Sequence, residues 1–339
     1  MPSDVTIDSP QQHSLELLEV AVREAAIEQL SVRKALFLSV VLLSHGHPAV
    51  ERPITLLKHN APDPKVRLAA AAMERSYEKV RTFFQFEKID HGLMQKFYNT
   101  SGYLYLGKEN PSGKMLVIFT SIFNNLYYSN AMLAALFAGL DCDLLFLKDD
   151  SRFIYLKGAK GIADDFPGIG EKVLEIARKN GIEKTYISGF SSAGFAALLT
   201  ALRIPCNGYL GFSQSTDRHP DTIPIKPRKP EIFARADPRW KLNLRSLLEK
   251  ADPAVPRALY YGELNKLDVA YARNVDGLPT IRTIGLPKIS HNSIRAMFAM
   301  DMLLPAFEAL VSETSDWPLP MSHMAPAEEE LLRVSVRED

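Results

Sequence analysis

The chain has 339 residues, more than a single hydrophobic core usually needs, so one large domain with an appendage is expected. Apolar residues make up 46% and charged residues 24%, an ordinary globular balance that excludes wholesale disorder. The 40 basic and 40 acidic residues cancel, so nothing global points to nucleic acid or to an anionic membrane surface. The first element in chain order is helical. Leu15, Leu18, Val22, Ala25 and Ala26 recur at three- and four-residue steps, and Val32 to Leu43 is almost wholly apolar. Breaks fall at His45-Gly46-His47-Pro48 and at Asn60-Ala61-Pro62-Asp63-Pro64, and a last long helix is expected over about Val66 to Phe84.

Residues 1–97 are thus expected to form an N-terminal helical region that packs or binds a protein partner. His45 and His47, two apart on a proline turn with no acidic or cysteine cluster nearby, read as a helix terminator, and no metal or other cofactor is expected. Met1 to Gln12 lacks the basic-then-apolar layout of a signal peptide. Ala35 to Leu43, the longest apolar run, is about half of what a membrane-spanning helix needs. A soluble, cytoplasmic protein with no membrane span is the expectation. The two cysteines, Cys142 and Cys206, lie in apolar stretches without metal-ligand spacing and are expected as buried free thiols.

The pattern changes over residues 98–311. Short β-prone runs appear at Tyr103–Leu106, Met115–Phe119, Leu144–Leu147, Thr185–Ser188, Tyr209–Phe212, Ala258–Tyr261 and Thr280–Ile284. The first two are joined by Asn110-Pro111-Ser112-Gly113, a turn suited to an antiparallel pair. Later runs alternate with helical stretches at Ala131–Phe137, Gly170–Lys179 and Ala193–Leu202. Such alternation implies an α/β fold, with a mostly parallel sheet covered by helices on both faces. Asn180-Gly181 is a left-handed stop for the second of these helices. The proline-rich stretch 216–256 interrupts the rhythm as an insertion, and 312–339 is expected to be a flexible tail.

The most informative stretch is Thr185-Tyr-Ile-Ser-Gly189-Phe190-Ser191-Ser192-Ala193-Gly194, running on into Phe-Ala-Ala-Leu-Leu-Thr200. It reads as strand, abrupt turn and then a helix of small apolar residues. A nucleophilic serine at a strained strand-to-helix bend needs small neighbours two residues to either side, and Gly189 and Ala193 supply them. The helix N-terminus favours developing negative charge, and the Ser192 backbone N–H is one candidate oxyanion donor. The fifth position of the G-x-S-x-G pattern holds Ala193 instead of glycine. The plainer alternative is that Ser191 or Ser192 merely caps the helix.

A serine hydroxyl needs a base within reach. After the strands that follow come Asp268, in a loop-to-helix stretch that also contains Glu263, and then His291 after the last strand. Either carboxylate could orient an imidazole, Asp268 being preferred; Asp276, in a turn before Gly277, is the poorer candidate. His219 lies in the insertion and is expected to line or cover a pocket. A second oxyanion donor is expected after Met115–Phe119, at Ile122 or Ser121.

Gly189-Phe-Ser191-Ser-Ala-Gly194 followed by Asp268 and His291 resembles the α/β-hydrolase superfamily over about residues 100–311. That resemblance implies a Ser-His-Asp triad acting through an acyl-enzyme on an ester, and makes 216–256 a cap-like insertion. Three shorter patterns are similar to hydrolase-like proteins that bacteria use around surface glycans and accessory secretion. They are Asp149-Asp150-x-Arg152-x-x-Tyr155, Asp237-Pro-Arg239-Trp240 and Asp268-Val-Ala-Tyr271 together with His291-Asn292. They imply an acylated saccharide as substrate. Acyl transfer with the same triad, and a non-catalytic scaffold of this fold, are the alternatives that the resemblance leaves open.

Overall fold

The computed structural model describes residues 20–26 (22 excepted), 31–44, 47–84, five positions between 90 and 97, 102–121, 125–149, 151, 154–222, 238–240 and 242–314. Seven strands form one sheet: β1 (Tyr103–Leu106), β2 (Lys114–Phe119), β3 (Asp143–Leu147), β4 (Lys184–Phe190), β5 (Gly208–Phe212), β6 (Arg257–Gly262) and β7 (Arg282–Leu286). Their spatial order is β1-β3-β2-β4-β5-β6-β7. All neighbours are parallel except β1 and β3, which pair antiparallel with Tyr103 opposite Leu147.

One expectation is corrected here. The turn at Asn110–Gly113 does join β1 to β2, but the two strands do not pair; β3 lies between them. The turn residues report a local reversal of the chain, and they carry no information about which strand fills the gap. β3, buried along its whole length, satisfies both neighbours.

Strand side chains alternate between two apolar layers, as a pleat requires. Leu116, Ile118, Leu144, Phe146, Leu210, Phe212 and Tyr260 face one layer, and Met115, Val117, Phe119, Leu145, Ile187 and Leu259 face the other. The second layer is closed by α5 (Phe166–Lys179), α6 (Ser191–Ala201), α7 (Arg245–Leu248) and α8 (Lys266–Val275). The first is closed by α4 (Asn130–Leu136), α9 (Ser293–Ala299) and α10 (Leu303–Ser312). That same layer takes in the N-terminal helices α1 (Val32–Ser44), α2 (Glu51–Asn60) and α3 (Pro64–Phe84) through Leu38, Leu42, Leu57, Val80 and Phe84.

Helix ends follow their sequence signals. Asp165 caps α5 by accepting a bond from Gly168 N–H at 2.9 Å, one turn before the expected start at Gly170. Gly181 turns at φ +67° after its last residue. His47 is a cap as well, its Nδ1 accepting from Ala49 N–H at 3.1 Å. Of the apolar face read at Leu15 to Ala26, Leu15, Leu18 and Val22 lie outside the described residues, and Ala25 is buried. Within 216–256 the chain is described at both ends, where Trp240 packs against Phe166 at 5.2 Å between ring centres. The tail beyond residue 314 lies outside the described residues. Cys142 is buried and Cys206 half-buried, both as free thiols. No described helix is long and apolar enough to cross a membrane.

Candidate active site

β4 delivers Phe190 in extended geometry, and the next residue, Ser191, turns abruptly to φ +53° as α6 begins. A left-handed non-glycine residue costs about 1–3 kcal/mol and persists only where its surroundings over-determine it. The surroundings here do so. A Cβ at Gly189 would lie 2.6 Å from the Ala197 Cβ and 2.9 Å from the Gly194 Cα, so only glycine lets the strand and helix close the bend. Gly194 makes room in another direction. Its missing side chain makes room for Gln214, whose Oε1 would be 2.3 Å from a Cβ placed there.

The bend aims the Ser191 hydroxyl at the ring of His291, with Oγ 2.7 Å from Nε2. The other ring nitrogen, Nδ1, is 3.0 Å from each carboxylate oxygen of Asp268. A carboxylate only accepts, so Nδ1 carries the ring proton and Nε2 is left to accept from the serine hydroxyl. Asp268 is 2% exposed, whereas the His291 side chain is 38% exposed. The acid is therefore sealed and the base reachable.

Each side chain is placed by the end of a different strand. Asn265 caps α8, its Oδ1 accepting from Leu267 N–H and Asp268 N–H at 3.0 and 3.2 Å, so Asp268 lies in the first turn of the helix. A carboxylate is favoured there by the helix dipole. The His291 loop leans on the loop that precedes Asp268. Leu264 N–H donates to Ile289 C=O at 2.8 Å, and a Cβ on Gly262 would meet the Ser290 carbonyl oxygen at 1.7 Å. The Ser213 hydroxyl donates to that of Ser293 at 2.8 Å, tying the end of β5 to the first residue of α9. Phe190 packs its ring 5.5 Å from the imidazole.

The remaining sequence candidates divide plainly. Glu263 is exposed, stands over Gly285 on β7 and does not contact His291. Asp276 accepts from the Thr283 hydroxyl at the far end of α8. Ser192 occupies the second position of α6, where its backbone N–H has no partner within the helix, as an anion-binding donor requires. Ser121 donates its backbone N–H to Asn125 C=O at 2.7 Å and closes a tight loop, whereas Ile122 lies outside the described residues. His219 accepts at Nδ1 from Asp221 N–H at 3.3 Å and makes no contact with the serine or the imidazole. Among the described residues no cluster of three or more potential metal ligands occurs.

Two of the shorter patterns serve packing where they are described. The Asp149 carboxylate accepts from Ser151 N–H and hydroxyl, both at 2.7 Å, and from Tyr155 N–H, while Tyr155 bonds back to the Thr120 and Leu147 carbonyls. Trp240 is sandwiched beside Arg203 and Arg239. Asp150, Arg152 and Asp237 lie outside the described residues. Sequence reasoning missed Gly262, Ser213, Ser293, Gln214 and Arg218. Their signal is tertiary, apart from a Ser-Gln-Ser run directly after a strand.

No family model and no curated protein matches the chain. Solved structures do. A MenH from S. aureus is 14% identical, with a TM-score of 0.46, over 63% of this chain and 99% of that one. A truncated carbohydrate esterase from gut microbiota is 13% identical, with a TM-score of 0.44, over 61% and 86%. An uncharacterized protein from Bacillus cereus is 13% identical, with a TM-score of 0.40, over 89% and 94%. By its own sheet order, its strained serine after β4, and the chain order Ser191, Asp268, His291, this molecule has the α/β-hydrolase fold.

Proposed function

We propose that the protein is a serine hydrolase that cleaves an acyl ester through Ser191, His291 and Asp268. The observation that carries this reading is the 2.7 Å contact between Ser191 Oγ and His291 Nε2, on a ring whose other nitrogen is held by a sealed carboxylate. Nucleophile, base and orienting acid thus stand in the mutual geometry that acyl transfer needs.

In this mechanism Ser191 Oγ attacks the ester carbonyl carbon as His291 Nε2 takes the hydroxyl proton. The carbonyl π electrons move onto the oxygen, which is stabilised by the Ser192 backbone N–H and by a second donor at Ile122. Asp268 holds the imidazolium. Collapse breaks the ester C–O bond, and the proton on Nε2 passes to the departing alcohol. Water, deprotonated by the same nitrogen, then attacks the acyl-enzyme and releases the acid. The reading stops at an acyl ester, because the residues that suggested a glycan pack, lie outside the described residues or, like Asp268 and His291, belong to a triad that would serve any acyl ester.

The test is a fluorophosphonate probe together with a chromogenic acyl ester. Wild-type protein labels at Ser191 and turns over, whereas Ser191→Ala labels nowhere and loses about 10³-fold or more in kcat. Asp268→Asn loses about 10⁴-fold, because the ring then has the wrong tautomer. A folded wild type that neither labels nor turns over would point to a non-catalytic scaffold. Turnover that speeds up with added sugar hydroxyls, beyond the rate in water, would assign acyl transfer to the same triad.

A further inference from the structure

Arg218 stands beside Ser192, the residue after the nucleophile, and has no counter-ion among the described residues. Its Nη2 donates to the Ser192 carbonyl at 3.1 Å, and its guanidinium lies over the Phe195 ring at 5.0 Å, both on the first turns of α6. Its charge also acts on Tyr271, one turn along α8 from Asp268. No carboxylate lies within ion-pair distance of it among the described residues. Asp217, its neighbour in sequence, turns to His219 N–H and Asn243 instead. The guanidinium is crowded enough that burial pushes its pKa down to about 10, yet the residue keeps part of its surface open to solvent.

The position is costly. A desolvated charge without a partner costs free energy. It is held there firmly nonetheless. Arg218 N–H donates to Leu242 C=O, and the Thr216 hydroxyl donates to Tyr271 C=O at 2.7 Å, so the loop is pinned to both sides of the site. A guanidinium held against the residue that follows Ser191, with no carboxylate to pair it among the described residues, favours one missing component, a negative charge.

We propose that the ester cleaved by this protein carries an anionic group, of the carboxylate, phosphate or sulfate kind, that seats on Arg218. The inference rests on the triad reading for its chemistry, although the anion site itself does not. Arg218 acts here as a specificity residue, matching the fixed charge of the substrate while the ester bond lies over Ser191.

The experiment compares anionic and neutral esters in the full-length protein. The 4-nitrophenyl monoester of glutarate carries charge on the acyl side and is paired with 4-nitrophenyl valerate. Acetylsalicylate carries charge on the alcohol side and is paired with phenyl acetate. At least one anionic member should exceed its neutral partner about tenfold or more in kcat/KM at low salt, chiefly through KM. Arg218→Met abolishes that preference while leaving the neutral esters within about threefold, and Arg218→Lys keeps part of it. Glutarate titrated calorimetrically into Ser191→Ala should bind, and should fail to bind when Arg218→Met is added. Equal handling of charged and neutral esters, or an equal loss on both in Arg218→Met, overturns the proposal. Glutarate binding that depends on Arg218, with no turnover and no labelling of Ser191, supports the anion site and overturns the hydrolase reading instead.

Discussion

The hydroxyl, the imidazole and the carboxylate come from the ends of three different strands, so their registration depends on residues with no chemistry of their own. Gly262 is the clearest of these. It ends β6, and any side chain there would collide with the Ser290 carbonyl, one residue before His291. The contact is with backbone, which cannot rotate aside. Gly262→Ala should therefore push the histidine loop away from Ser191. A displacement of about 1 Å costs on the order of 10²-fold in rate. The expected result is a kcat lowered about 10²-fold with KM little changed, in protein that still folds. A Gly262→Ala variant with wild-type kcat would mean that the loop has slack. That Ser191, His291 and Asp268 would meet was legible in the sequence, because a strand-to-helix bend at a serine must use small residues around it, and in this fold the serine, the acid and the histidine follow one chain order. Gly262 was not, since nothing local distinguishes a glycine that makes room for a distant carbonyl from one that ends a strand.

At the scale of elements, β-prone runs of four or five residues marked all seven strands, while their order is set by tertiary pairing that no single run encodes. β1 shows why: the turn after it is local, whereas its pairing with β3 is set by which edge of the sheet remained open. The strand limits moved for a related reason. β7 begins at Arg282 and not at Thr280, because its ladder with β6 opens at the Ala258–Arg282 pair and Thr280 would fall opposite Pro256, which precedes β6 and has no N–H to give. The last helix, α10, shows how one side chain can fix the docking of an element. Glu313 follows it in a left-handed turn and accepts from Lys184 Nζ and from the Tyr186 hydroxyl, both at 2.7 Å and both on β4. These bonds hold the Glu313 carboxyl below its usual pKa. A lowered folded-state pKa adds stability that is present above the unfolded value, about 4.3, and fades as pH falls through the folded one. With its side chain 39% exposed, the pair contributes less than about 1 kcal/mol. Glu313→Gln should therefore be slightly less stable than wild type at pH 7 and indistinguishable from it near pH 3. Urea titrations at the two pH values measure both terms, and a difference that grows on acidification would refute the assignment.

At the scale of the whole molecule, the N-terminal helices lie against the same layer of the core that carries α9, the helix that starts two residues after His291. The contact centres on Phe298. Its ring stacks on Phe84 at 5.5 Å and meets Phe83 and Tyr128 edge-on at 5.8 and 5.2 Å. Lys79 reaches Asp301 at 2.8 Å and the Ala299 carbonyl as well. Near α4, Ser129 N–H donates to the Ser44 carbonyl at 2.8 Å, so the helices are joined to the sheet domain by backbone as well as by rings. A core shared in this way should unfold as one cooperative unit, because neither part can keep its apolar face covered alone. Phe298→Ala removes the ring on which α3 and α9 meet and should cost about 3–5 kcal/mol. Phe84→Ala, made in the same background, should cost markedly less than it does alone, since the two rings share one contact. Denaturation followed by a reporter in α3 and by a second in α8 should give coincident transitions in wild type and in both variants. Separate transitions, with Phe298→Ala shifting only the one seen from α3, would show two units resting on each other, and the helices would then contribute nothing to holding α9 and the histidine before it.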